Sequence, residues 1–251
     1  MRYLTAEEIQ VTHREAVHEV LGSFVGKGVR DRFAIRVFNE NHDAFFPERA
    51  GSRVLDCGTA SGAFVEELAQ AGYREIFGVD IGDYLRPGAK AVTREFAACD
   101  VSFQPLPWPE GWFNAVSAWC VLPHLENPFH CVREIARVLA PGGLFIFTVP
   151  HLGSKTSRNF FSEHGDFRSY RSSNNHISLF TPGVIQKTIL RYFDLVRVTY
   201  HVRQKIFHTP LGRMRQLVYR LTGSYPGLRA RLDYRWASQA IYVVRKNSPA
   251  P

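Results

Sequence analysis

Three acids and one turn of small side chains are the residues best placed to do chemistry in this chain. Asp56 ends the apolar run Val54-Leu55 and opens Asp56-Cys57-Gly58-Thr59-Ala60-Ser61-Gly62, which runs through Ala63 and Phe64 into a helical pattern. A turn of this composition lets a ligand come close to the backbone, because glycine permits the tight φ/ψ values that other residues avoid. Asp80 closes the apolar stretch Ile76-Phe77-Gly78-Val79, where a carboxylate can accept two hydrogen bonds from ribose hydroxyls. Asp100 follows Ala97-Ala98-Cys99 and can accept from the exocyclic amine of a purine. On three strand ends, the loop and the two acids outline one adenosine-shaped crevice. The competing reading is that both acids only cap the helices that follow them. Gly58-Thr59-Ala60-Ser61-Gly62 does not fit the G-x-G-x-x-G fingerprint of nicotinamide-binding loops, which sets an oxidoreductase aside.

The elements that must carry these groups follow from the hydrophobic pattern. Short apolar runs alternate with helical ones at 53–57, 62–71, 75–80, 113–119, 129–139 and 144–149. Strand, helix, strand at this rhythm predicts an α/β fold with a mostly parallel sheet and crossover helices. Val132, Ile135, Ala136 and Leu139 share one helix face, and Pro141-Gly142-Gly143 stops that helix. Thr181-Pro182 predicts an N-cap with proline at the first helical position of a helix to about Tyr192, followed by late strands at 193–200 and 237–244. Thr5 to Glu8 forms a T-x-x-E capping box ahead of an N-terminal helical segment.

A length of 251 residues, 45% of them hydrophobic, suits one α/β domain with a small appendage. The expected division is a helical segment over 1–50 and the main domain over 51–251, with a substrate-side insert at 151–180 and a basic insert at 205–234. No apolar run reaches the length of a membrane span and the start lacks the pattern of a signal peptide, so a cytoplasmic protein is expected. The four cysteines, Cys57, Cys99, Cys120 and Cys131, have no CxxC spacing and read as free thiols, and no metal site is expected. The net charge is +8, concentrated between 201 and 246, where ten Lys or Arg face the single acid Asp233. Such asymmetry suggests an anionic neighbour: a membrane surface, a phosphorylated substrate or a nucleic acid.

The stretch from Arg53 to Pro150, about two fifths of the chain, resembles the core of class I S-adenosylmethionine-dependent methyltransferases, in their small-molecule and glycan-modifying branch. Asp56 to Gly62 resembles the D-x-G-x-G-x-G loop of that family, Gly78-Val79-Asp80 its ribose-binding acid and Cys99-Asp100 its adenine-side acid. Leu106 to Val116 resembles the LPFPDGSFDAV run, Val121 to Leu125 the segment after the fourth strand, and Arg133 to Gly143 the helix and turn before the fifth. Ala60 stands where the family has its middle glycine, and Asn114 where it has aspartate; neither change removes a group that the cofactor needs. The resemblance implies a Rossmann-like, seven-stranded sheet and S-adenosylmethionine as cofactor, with S-adenosylhomocysteine as product. The implied cofactor site comprises Asp56, Gly58, Thr59, Ala60, Gly62, Asp80 with Ile81, Asp100 with Val101, and Trp119 with Cys120. For Trp119, packing is an equal alternative.

Methyl transfer needs proximity and alignment, and a base only where the acceptor must lose a proton. Candidates are His151, just past the fifth strand, then His124, then the cluster Glu163, His164 and Asp166. No N-P-P-Y-like run and no proline-cysteine pair follows the fourth strand, which counts against DNA or RNA as acceptor. Asn175 to Pro182 resembles an H-x-x-x-F-T-P run of relatives associated with cell-surface polysaccharide biosynthesis. The expected reaction is therefore O-methylation of a small-molecule or saccharide acceptor, lipid-linked or phosphorylated acceptors included. Alternatives are an RNA-directed methyltransferase and a non-catalytic cofactor-binding protein. Leu211, Met214, Leu217, Val218 and Leu221 fall on one helical face with basic residues elsewhere, a pattern suited to peripheral docking on an anionic membrane, at the inner face, or to packing on the protein's own core.

Overall fold

The computed structural model of the protein describes residues 29–171, 175–202 and 226–247. The capping box at Thr5 and the amphipathic pattern at 211–221 lie outside them. In chain order the elements are α1 (Val29–Phe45), β1 (Arg53–Cys57), α2 (Ala63–Gln70), β2 (Glu75–Asp80), α3 (Pro87–Val92), β3 (Glu95–Ala98), β4 (Phe113–Ala118), α4 (Pro128–Val138), β5 (Leu139–Pro150), α5 (Lys155–His164), α6 (Pro182–Thr188), β6 (Phe193–His201), α7 (Pro226–Trp236) and β7 (Gln239–Lys246). Short 3-10 turns lie at Leu122–His124, Arg168–Tyr170 and Ile189–Arg191.

The seven strands form one sheet in the order β3-β2-β1-β4-β5-β7-β6. Strands β1 to β5 pair in parallel, while β7 runs antiparallel between β5 and β6. The expected mostly parallel sheet is thus present. The order reverses at β1, so the crevice between the carboxyl ends of β1 and β4 is the place where an open α/β sheet accepts a ligand.

Period-two alternation divides the core. Val54, Ile76, Ala115, Ile146 and Val243 point to one face, where Ala34, Val37 and Phe38 of α1 and Phe64, Val65 and Leu68 of α2 cover them. Leu55, Phe77, Val116, Phe145, Phe147 and Val244 point to the other, under Val132 and Ile135 of α4 and Ile185 of α6. Central strands buried on both faces read as near-continuous apolar runs, which is why the sequence shows them so clearly.

Two local features differ from expectation. Strand β5 begins at Leu139, before the Pro141-Gly142-Gly143 turn, because Leu139 pairs with Phe113 before the register shifts to Ala115 with Leu144. The polar stretch after His151 holds a regular helix, α5, whose N-cap Ser154 accepts from the Ser157 N–H at 3.2 Å and whose C-cap is Gly165 at φ 67°. None of its residues is fully buried, so it lacks the apolar stripe by which periodicity reveals a helix.

Candidate active site

The β1–α2 turn is held from three sides. The Gly58 N–H donates to the Val79 carbonyl at 2.7 Å, and the Ala60 N–H donates to Asp80 Oδ2 at 2.8 Å. Below the turn, Ser117 on β4 donates its hydroxyl to Asp56 Oδ1 at 2.6 Å, with both side chains buried. Gly58 and Gly62 both have φ +81°; a Cβ on Gly58 would collide with Val121, and one on Gly62 with Ala89 and Leu85. Only glycine fits either position. Ala60 itself sits at φ 47°, a left-handed conformation that disfavours an alanine by about 1–2 kcal/mol, and its bond to Asp80 holds it there. Because Gly62 offers no side-chain cap, the first N–H groups of α2 lack the usual side-chain acceptor.

Asp80 at the end of β2 accepts one backbone N–H on each oxygen, from Ala60 and from Ile81, the latter at 2.8 Å. The helix-capping alternative does not describe this carboxylate, whose bond to Ala60 joins it to the turn of the neighbouring strand. Asp100 is 4% exposed; its Oδ1 accepts the Ser102 N–H at 3.0 Å, and its own N–H donates to Gln104 Oε1 at 2.8 Å. Its Oδ2 is buried with no hydrogen-bond partner among the described residues. A buried carboxylate oxygen without a partner is costly, and a donor such as a purine amine would satisfy it. The residues present therefore fit an adenosine-bearing cofactor. Val101 is buried beside Asp100, and its carbonyl receives the His130 ring Nδ1 at 3.2 Å.

Past β4, Trp119 packs edge-on against Phe64 at 5.3 Å and Phe33 at 6.2 Å. The packing role is thus realised, although its indole Nε1 is buried without a partner. Cys120 has φ 56° and donates its N–H to Thr148 Oγ1 at 2.7 Å. Thr59 is buried with its hydroxyl unpartnered.

The three base candidates separate. His151 is 9% exposed, between the rings of Tyr200 and Tyr234 at 4.7 and 4.6 Å. Its Nε2 lies 2.9 Å from the Tyr234 carbonyl, which can only accept, so Nε2 carries the hydrogen and Nδ1 the lone pair. Burial, with a contribution from Arg158, holds its pKa below the ordinary histidine value against the opposing Tyr234 bond. His151 is therefore neutral near pH 7, the form a base requires. His124 lies in the turn after β4, its Nδ1 3.2 Å from the Asn175 carbonyl and its ring 4.4 Å from that of His176. It helps fasten the 175–178 segment, whose Ile177 and Ser178 N–H groups both donate to the Pro123 carbonyl. Glu163 and His164 are exposed on α5, where His164 stacks on Phe160 at 4.1 Å, and Asp166 accepts the Phe167 N–H.

Ser117, Thr148 and Tyr234 were not singled out from the sequence. The first two carried a signal, since a lone hydroxyl inside a fully buried apolar strand needs a partner; Tyr234 carried none. Asn114, the second departure noted above, accepts the Arg53 N–H on its Oδ1 at 2.9 Å and so keeps a hydrogen bond without the charge.

A family model described as a methyltransferase domain matches residues 30–190. Among curated relatives, 27-O-demethylrifamycin SV methyltransferase of Amycolatopsis mediterranei is 33% identical over 106 residues, covering 39% of this chain and 38% of that protein. Cycloartenol-C-24-methyltransferase 1 of rice, Oryza sativa, is 30% identical over 103 residues, covering 39% and 30%. The chain thus spans about a third of the length of the curated relatives it matches. A solved structure of an S-adenosylmethionine-dependent methyltransferase from Thermotoga maritima shares the fold with a TM-score of 0.61 at 14% identity, covering 93% of this chain and 99% of that one.

Proposed function

Because the chain belongs to the class I S-adenosylmethionine-dependent methyltransferases, we propose that it transfers a methyl group to an oxygen of a small-molecule or saccharide acceptor. The observation that supports the cofactor site is the buried, unpartnered Oδ2 of Asp100, on the same rim as Asp80 and the turn that Asp80 holds. When bound, S-adenosylmethionine supplies an electrophilic methyl on a sulfonium centre. In this reading Asp80 accepts the ribose hydroxyls, with Ile81 beside it. Asp100 accepts the adenine amine, with Val101 against the base. Gly58, Thr59, Ala60 and Gly62 bring backbone to the amino-acid end, Asp56 with Ser117 fixes that backbone from below, and Trp119 and Cys120 close the floor. His151, neutral and fixed by Tyr234, accepts the acceptor's hydroxyl proton on Nδ1, with His124 the lesser candidate.

The two relatives bear on the acceptor only by name, one acting at an oxygen of a rifamycin and the other at a sterol carbon. The choice of oxygen rests on His151, since attack by a hydroxyl is the case that needs a base beside the acceptor. The proposed location is cytoplasmic and peripheral to an anionic membrane face. It is supported by α7, which exposes Leu228 and Tyr234 beside Arg231 and Arg235. No helix among the described residues is long and apolar enough to cross a membrane.

The test is calorimetric titration of S-adenosylhomocysteine into the wild type, Asp80→Ala and Asp100→Ala. Binding by the wild type that weakens tenfold or more in each variant is expected, since each substitution removes charge-assisted hydrogen bonds. A folded wild-type protein that binds nothing overturns the proposal, and binding without methyl transfer to any compound of a labelled-donor screen leaves the non-catalytic alternative standing.

A further inference from the structure

A second concavity, of about 340 Å³, opens between α5, the 168–170 turn and the end of α7. Its volume lies at the small end of the range for small-molecule sites. Two cations, Lys155 and Arg168, share it with the rings of Phe160 and Trp236 and the polar Thr156 and Asn159. Its one acid is Glu163, which lies 3.9 Å from the ring Nδ1 of His164. Among the described residues, no carboxylate lies within 4 Å of Lys155, Arg168 or the flanking Arg158 and Arg171. The guanidinium groups of Arg168 and Arg171 each lie 5.8 Å from the centre of the Phe160 ring. Phe160 is itself fixed by its stack on His164. Cations that no described carboxylate neutralises, in a cleft lined also by aromatic side chains, suit a ligand that brings both negative charge and a ring.

The connectivity ties the walls of this cleft to the end of β5, where His151 stands. Strand β5 ends at Pro150, α5 starts at Lys155, and α7 ends at Trp236, three residues before Gln239, which pairs with Pro150. The His151 N–H donates to the Ser238 carbonyl at 3.0 Å, so the candidate base stands where β5 passes into the cleft's walls. We infer that this cleft binds the methyl acceptor, and that the acceptor carries an anionic oxygen group, phosphate or carboxylate, next to a sugar or aromatic ring. Lys155 and Arg168 hold the anion while Phe160 and Trp236 hold the ring. The inference rests on the methyltransferase reading, and its test separates the two.

Protein saturated with S-adenosylhomocysteine is titrated with glucose 6-phosphate, glucuronate and 4-hydroxybenzoate, with their neutral counterparts methyl glucoside and 4-hydroxybenzyl alcohol, and with inorganic phosphate. At least one ring-bearing anion should bind at least tenfold more tightly than its neutral counterpart and more tightly than inorganic phosphate. Preference for the sugar phosphate assigns a phosphate, and preference for either acid a carboxylate. Lys155→Ala and Arg168→Ala should each weaken that ligand tenfold or more and Glu163→Gln should strengthen it, all three with unchanged thermal unfolding and S-adenosylhomocysteine affinity. Equal binding of neutral compounds, no binding by any member of the panel, or indifference to both cation substitutions overturns the inference while the cofactor site stands. Failure of the wild type to bind S-adenosylhomocysteine overturns the cofactor reading instead.

Discussion

His151 joins two properties that pull against each other. Burial holds its pKa below the usual value of about 6.5, while the bond to the Tyr234 carbonyl favours the charged form. A histidine whose folded pKa is depressed is protonated more readily in the unfolded chain, so it contributes stability above pH 6.5 that is lost as pH falls through the folded value. Two outcomes follow. The unfolding free energy should drop on acidification below pH 6.5 less steeply in His151→Asn than in the wild type, as measured by urea denaturation across pH. With an acceptor in hand, kcat/KM should hold between pH 8 and 7 and reach half its plateau only below pH 6.5, and His151→Asn should flatten the profile. A profile that falls already between pH 8 and 7 would assign the proton to another group.

Helix α4 positions the loop that leads into β4. Its N-cap Asn127 accepts the His130 N–H at 3.1 Å, and Pro128 follows at the first helical position. Near its far end, Arg137 donates to the Leu106 and Trp108 carbonyls at 2.8 Å each and pairs with Glu134 at 2.7 Å, while Glu134 accepts the Leu106 N–H. The pair therefore pins the 106–108 loop that leads into β4, and the Arg137 side chain beside Glu134 holds that carboxyl below its usual range. Asn127→Ala should cost about 1 kcal/mol of unfolding free energy, the usual worth of a cap, with S-adenosylhomocysteine affinity unchanged. A loss of affinity without a loss of stability would show that this helix shapes the site directly.

Across the whole molecule, charge is the property that element-by-element reading does not capture. Of the ten Lys or Arg between 201 and 246, Arg229, Arg231 and Arg235 lie on α7, Arg245 and Lys246 at the far end of β7, and the other five outside the described residues. If this region meets an anionic membrane, the protein should sediment with vesicles containing phosphatidylserine and not with neutral ones, each basic residue near the surface adding about 1 kcal/mol. Equal sedimentation with both, or with neither, removes the membrane from the account. Binding to RNA that falls steeply with salt would revive the RNA-directed alternative.

The chain order of β1, β2, β4, β5, β6 and β7 with α2, α4 and α6, the turn at Asp56 to Gly62, and the acids Asp80 and Asp100 were legible in the sequence. Each is written in a few consecutive residues, as apolar runs, caps and glycines whose conformational demands are local. Helices α3 and α7 were not, and neither was α5, which lies on the surface with no residue fully buried and so has no apolar stripe to announce it. What only the tertiary structure decided are the meetings of distant residues. Ser117 reaches Asp56 across 61 positions and Tyr234 fixes His151 across 83, while Lys155, Arg168 and Trp236 come from three separate elements to line one cleft. Hydrophobic periodicity states which face of an element is buried but not which side chain of another element stands opposite. That is set by strand order and by the antiparallel insertion of β7 beside β5, which brings the end of α7 to the end of the fifth strand.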